Sequence, residues 1–541
     1  MSSAESKAQG NALFNAKKFK EAGEKYTEAI QVGDEATDPK GLAVIYANRA
    51  ACRLSLKRYL DACADAKKAT ELDPTYAKAF ARLATAQAAM SDYPHSEESW
   101  QHALDALPKA DLKPAEQVQR QQYQAGLEAA TAAVAKMKST PIIGEDAILV
   151  QGEGRMPWDL AAAMIPDLRI ARSTNADRLR SSAWVVHSAY EDFMSGINKM
   201  KQLKHDTATN QMMGMPGAIT DLTNGLMRDI RVLHFTDNNF ISLYNKQVII
   251  EIQLFKPWTE GGPELVIRES LERQRTEGWD SVRPAISLTI RAWIMRAVID
   301  SHLRQQHAAA VEFLKRGLDV LRSLRDSWIL VPKTNRGVVF EQSFLFGLQN
   351  MYIEAMMQTY SLKPSPELLE ELSTESDLLI REVDAALRQP HSQGPVDPGF
   401  MSSFYLYPRG MAYAMKGFCF NKKAGLEPGR RNEFHRMAGI TYIKAADCFP
   451  EDDEHNPWFL NIALGNMFQA RTFPLRETLD VMKRIRLAAP KAKEIWERSS
   501  LSASGLWDIL GGVGEQETFL RDMLAQGKFT LDSCVGPATD E

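Results

Sequence analysis

Along residues 43–108, apolar and small side chains recur at three- and four-residue intervals, the spacing that puts them on one face of an α-helix. The stretch AVIYANRAACRLSLKRYLDACADAKKATELD ends at Pro74, and AKAFARLATAQAAMSDYPHSEESWQHALDAL ends at Pro108. The two prolines lie one 34-residue period apart, as do Tyr59 and Tyr93, Ala69 and Ala103, and Tyr46 and Phe80. A looser first copy runs from about residue 3, with Gly10 and Asn11 in its first helix, Phe19 ahead of its second, then Ala22, Tyr26 and Ala29. Extra residues at 34–40 separate it from the second copy. Each copy predicts a pair of antiparallel helices. Small residues (Gly10, Ala22, Ala50, Ala62, Ala84) stand where the helices approach, and aromatic residues fill the gaps between pairs. Residues 114–138 predict a longer helix, alanine-rich on one side and polar on the other, that closes such an array.

Several polar side chains on the first helix of each pair are not needed for this packing. Lys7 and Asn11 are one turn apart and point the same way; Lys78 and Arg82 repeat that spacing, and Asn48 stands at the corresponding position between them. Two ammonium groups, one guanidinium and two carboxamides then face one groove, with no acidic residue among the five. Such a set suits a chain end bearing two adjacent carboxylates. The amides donate without adding charge, the lysines supply mobile positive points, and arginine supplies a directional fork.

The strings YANRAAC, ATELDP and ALDALP resemble the tetratricopeptide repeat (TPR) family, over roughly residues 3–108. KAQGN, ANRAA and KAFAR extend the likeness, because Lys7, Asn11, Asn48, Lys78 and Arg82 match the carboxylate clamp of co-chaperone TPR domains. That resemblance implies binding of the acidic EEVD-type tail of heat shock protein 70 and/or 90 chaperones. It also implies a mainly α fold: a three-repeat superhelix with its capping helix over 1–138, then a larger, mostly helical domain.

Beyond residue 138 the pattern weakens. Residues 139–180 are expected to be a linker or irregular lead-in, and 181–541 a helical domain of degenerate TPR-like hairpins. Amphipathic helices are expected at 183–204 and 218–234, and hairpins at 292–324, 410–450 and 456–490, the last ending at Pro490. QVIIEIQLF (247–255) alternates only in part and fits a strand or a buried helix. EDDEH (451–455) lacks metal-ligand spacing and reads as a solvated loop. The Met-rich QMMGMPG (211–217) fits a docking surface or an ordinary loop.

Composition narrows the function classes. The formal net charge of −4 gives no basis for nucleic-acid or polybasic membrane binding. No apolar run reaches the roughly 18 residues of a membrane span. Five scattered cysteines without a CxxC pair fit reduced thiols, Cys419 and Cys448 at small-residue packing positions, in a cytoplasmic (or nuclear) protein. No catalytic motif, metal site or cofactor is expected. The expectation is a non-enzymatic adaptor that holds a chaperone tail and offers its later domain to a client or second partner. The alternatives are a general TPR scaffold, or an enzyme in the later domain recruited through the TPR module. The acidic end, Asp540 and Glu541, could compete for the same groove.

Overall fold

The computed structural model describes residues 2–33, 38–90, 92–110, 113–139, 154–171, 180–206, 211–235, 239–259, 261–389 and 398–536. Asp540 and Glu541 lie outside them. Seven helices open the chain: α1 (Ser3–Asn15), α2 (Phe19–Val32), α3 (Pro39–Ser55), α4 (Tyr59–Leu72), α5 (Ala77–Ala89), α6 (Tyr93–Asp105) and α7 (Pro114–Ser139). They pair as α1/α2, α3/α4 and α5/α6, with α7 against α6. A capping box starts α1: the Ser2 hydroxyl accepts from the Glu5 N–H at 3.3 Å, and the Ser2 N–H donates to Glu5 Oε2 at 2.8 Å.

The small residues stand where the sequence places them, for a steric reason. A Cβ at Gly10 would lie 2.7 Å from Tyr26 Cε1, and one at Gly126 of α7 would lie 2.5 Å from Trp100 Cε2 of α6. Both distances are shorter than packed carbons tolerate, so glycine lets an aromatic ring close each helix pair.

The chain divides into two compact units, Met1–Ala147 with Leu254–Arg336, and Ile148–Gln253 with Gly337–Glu541. The helices Pro263–Glu277, Trp279–Val298 and His307–Ser327 therefore share a unit with the repeats. Polar groups on them grip the turns inside the second and third repeats. Glu264 pairs with Arg53 and with Arg58, the latter at 2.6 Å. Glu312 Oε1 accepts from the Tyr59 N–H at 3.2 Å, and Arg316 donates to the Lys57 carbonyl at 3.2 Å. Arg296 donates to the Met90 carbonyl at 3.1 Å.

Among its described residues the second unit is also mainly helical, with an antiparallel hairpin that pairs Lys204–Asp206 with Gln211–Met213. Residues 247–255, undecided from sequence, belong to the helix Phe240–Phe255. Pro157–Ala171 is a helix within the stretch expected to be irregular, and Leu475–Trp496 runs through Pro490 instead of ending there. The later hairpins form from Tyr407–Leu426, Arg431–Ala446, His455–Ala470 and Leu475–Trp496. Among the described residues, no helix is long and apolar enough to cross a membrane.

The expectation that EDDEH forms a solvated loop is overturned: Asp453 and Glu454 are buried. They surround Arg231, which donates to Asp229 at 2.7 Å, Asp453 at 2.9 Å and Glu454 at 3.2 Å while stacking 3.6 Å from the Trp496 ring. Tyr407 donates to Asp453 at 2.6 Å. Asp452 accepts from the Ser181 hydroxyl at 2.5 Å and the Ser182 N–H at 2.8 Å. Short-range pattern gives a run of charges no reason to be buried; the countercharge, Arg231, lies 222 residues away in sequence.

Two outcomes test this packing. Gly10→Val is expected to cost about 1–3 kcal/mol in urea unfolding, through overpacking against Tyr26. Gly465→Ala, at a helical position with open space around it, is expected to be neutral or stabilising by up to about 1 kcal/mol. The two aspartates of the buried cluster should respond to acid in opposite senses. Despite the burial penalty, Arg231 and His455 hold Asp453 well below the usual carboxylate range. Its stabilisation is therefore present at neutral pH and lost as pH falls below about 4. Burial pushes Asp452 up to about 6, so its protonated form favours the fold at low pH, and that contribution fades as pH rises from about 4 to 6. Unfolding free energies across this range for Asp453→Asn and Asp452→Asn should each lose the corresponding slope.

Candidate functional site

Helices α1, α3 and α5 each contribute one side to a common groove. Lys7 and Asn11 lie one turn apart on α1, Asn48 on α3, and Lys78 and Arg82 one turn apart on α5. Three of the five are joined directly. Arg82 Nη1 donates to Asn48 Oδ1 at 3.2 Å, and Asn48 Nδ2 donates to Asn11 Oδ1 at 3.2 Å. The same Asn11 oxygen accepts from the Tyr26 hydroxyl at 2.7 Å. A relay of neutral amides thus runs across all three helices and ends on a guanidinium. Lys7 and Lys78 are not part of it. They flank it a turn earlier on their helices, Lys7 half-buried and Lys78 exposed, and neither makes a hydrogen bond or ion pair among the described residues.

Arg82 carries the electrostatic character of the groove. It is half-buried, and burial lowers its pKa from the ordinary arginine value; the groups that act in the other direction are the phenols of Tyr76, Tyr123 and Tyr26 and the Cys52 thiol. No carboxylate pairs with it among the described residues. The next arginines on α3 are treated differently. Arg49 forks onto both oxygens of Asp65, at 2.7 and 2.9 Å, and Arg53 meets the same carboxylate at 2.5 Å. On α3 the amide that orients the un-neutralised Arg82 is thus followed directly by the neutralised Arg49, with Arg53 one turn further on.

The arrangement can take up an anion. Asn11 Oδ1 accepts from two donors, and Asn11 Nδ2 has no partner among the described residues. The remaining Arg82 N–H groups and the two ammonium groups add donors and positive charge. A buried cation without a counterion is costly, and a carboxylate arriving from solution removes that cost.

Tyr26 is a member of the relay that spacing alone does not reveal: it packs as an aromatic filler against Gly10, and its hydroxyl also reaches Asn11. Burial also pushes its phenol up to about 12, so it remains a donor and fixes the Asn11 amide. No spacing rule marks a hydroxyl that reaches the groove from the second helix of a pair. Elsewhere, burial raises Cys419 to about 12 and Cys448 to about 11, which keeps both as packed thiols. Among the described residues, no cluster of His, Cys, Asp and Glu is arranged to hold a metal ion.

No family model matches the chain. Heat shock protein STI1 of Saccharomyces cerevisiae is 38% identical over 120 residues, which are 22% of this chain and 20% of that protein. The Hsp70-Hsp90 organizing protein of Triticum aestivum is 33% identical over 160 residues, 29% of this chain and 25% of its own length. Among solved structures, the Sgt2 TPR domain from Aspergillus fumigatus is 27% identical, covering 25% of this chain and 81% of that domain, with a TM-score of 0.22. The chain thus spans only a fifth to a quarter of the curated relatives' length. α1–α7 form three antiparallel helix pairs closed by a long capping helix, a helical-repeat arrangement with a 34-residue period between the second and third pairs.

Proposed function

We propose that the groove of α1, α3 and α5 binds the carboxyl-terminal segment of a partner protein, with Lys7, Asn11, Asn48, Lys78 and Arg82 as its carboxylate clamp. The observation that carries this reading is the half-buried Arg82 guanidinium, oriented by an amide relay and left without a carboxylate. A main-chain terminus followed inward by an Asp side chain offers two carboxylates a few ångströms apart, which suits a fork and two mobile ammonium groups. An extended peptide end in a preformed groove is an established recognition mode.

The partner that fits is the EEVD-type tail of heat shock protein 70 and/or 90. The similar proteins, a heat shock protein and an Hsp70-Hsp90 organizing protein by name, support this choice. The chain acts as a cytoplasmic, non-enzymatic adaptor of co-chaperone type. Its first 138 residues serve as the TPR module, and its second unit carries a client or a further partner.

Fluorescence polarisation with a labelled peptide ending in EEVD tests the clamp. Charge-assisted hydrogen bonds are worth about 1.5–3 kcal/mol each, so the Lys78→Ala/Arg82→Ala double variant should weaken binding by about 100-fold. The intact groove should also bind several-fold more weakly between about 0.05 and 0.5 M salt. Retained affinity in the double variant would sink the clamp. A panel varying only the last two residues separates the chaperone reading from a general scaffold, which would accept any acidic end equally.

A further inference from the structure

The helices Leu475–Trp496 and Leu506–Ala525 of the second unit pack together and share the walls of a recess of about 340 Å³. Each helix gives it one stripe. Arg486, Ala489, Pro490 and Lys493 line it from the first helix. Trp507, Leu510, Gly511 and Gly514 line it from the second. Both stripes follow the i, i+3, i+4, i+7 spacing, which is the face that one helix presents to another. Among the described residues, no third helix contributes to the walls.

The floor is cleared of side chains. No described neighbour comes within 4 Å of the place where a Cβ would stand on Gly511 or Gly514. Glycine is unfavourable inside a helix, and nothing in the unit fills the room these two leave. The Trp507 indole N–H is committed to the Ser502 hydroxyl at 2.7 Å, so the ring offers the recess apolar surface.

The ionisable walls carry one sign. Among the described residues they are Arg486 and Lys493, the two ends of the first stripe. Lys493 is exposed and makes no hydrogen bond or ion pair among the described residues. Arg486 meets Glu517 at 3.1 Å, but Arg521 holds that buried carboxylate as well, at 2.7 Å, so two guanidinium groups share one negative charge. The acidic residues nearest in sequence, Glu494, Asp508 and Glu515, are not among the walls. Seven residues of helix set the two cations about 10.5 Å apart along its axis.

We infer that this recess docks an amphipathic helix of a partner protein. Its apolar side chains enter over the two glycines, and two carboxylates seven residues apart meet Arg486 and Lys493. The matched stripes select a helix over a flat lipid surface, and the paired cations select carboxylates at that spacing. The site lies in the second unit and does not rest on the clamp reading.

Fluorescence polarisation on the full chain tests this with a labelled Ala/Leu helical peptide of about eighteen residues. It carries Glu at two positions seven apart and is amidated at its carboxyl end, so that it offers no chain end. One control has Lys at both positions; the other has the second Glu moved two residues on, to the far side of the helix. The matched peptide should bind at least about ten-fold more tightly than either control. Gly511→Leu/Gly514→Leu fills the recess with good helix formers, so thermal melts should show an intact fold while binding falls by at least about ten-fold. Lys493→Glu leaves the Arg486–Glu517 pair in place and should shift preference toward the Lys peptide. Failure of the matched peptide to bind, equal binding of either control, wild-type affinity in the filled variant or unchanged preference in Lys493→Glu would each overturn the inference. So would a dimer, or binding to phosphatidylserine vesicles, that the filled variant abolishes.

Discussion

Arg82 sits half-buried between three helices, donates to an amide, and has no carboxylate beside it among the described residues. Keeping a guanidinium in that state demands precise support from its surroundings. Asn48 must present its oxygen, so Asn11 must hold the Asn48 nitrogen, and the Tyr26 hydroxyl must in turn hold Asn11. Tyr26 reaches its place because Gly10 leaves room for its ring. The repeated helix pair sets this up. It returns α1, α3 and α5 to equivalent positions, 37 residues separating Asn11 from Asn48 and 34 separating Asn48 from Arg82, so that side chains far apart in sequence meet across one groove.

The second unit solves the same electrostatic problem in the opposite way. Arg231 is surrounded by Asp229, Asp453 and Glu454 and covered by Trp496. Every part of its charge is answered, so it has nothing left for a ligand. Such a cluster fixes which segments pack together, and removing one partner would leave buried charge uncompensated. Burial alone therefore does not mark a binding site. What distinguishes Arg82 is burial with its countercharge missing, while Arg49 and Arg53 on the neighbouring helix are neutralised by Asp65.

The parts legible in sequence were those governed by local spacing. The period, the helix pairs, the glycine and alanine positions and the alignment of Asn48 with Arg82 follow from residues three, four or 34 apart, and Asn11 joins them once the extra residues at 34–40 are allowed for, 37 positions before Asn48. What escaped depended on distant partners. Glu264 meets Arg58 across more than two hundred residues, and nothing near either one announces the pairing. EDDEH looked solvated because its countercharge comes from Arg231. QVIIEIQLF stayed ambiguous because its buried face is the polar one: Gln247 and Glu251 satisfy backbone groups of a loop some thirty residues earlier. Pro490 suggested a helix end, yet Leu475–Trp496 continues through it.

A groove that reads a chain end must tell a terminal carboxylate from acidity in general. Titration calorimetry with one EEVD peptide in two forms, free acid and carboxyl-terminal amide, tests this directly, because the forms differ by a single charge at the terminus. Amidation is expected to weaken binding by about ten-fold or more in the intact protein, and most of this difference should disappear in Arg82→Met. Equal affinity for the two forms would contradict it.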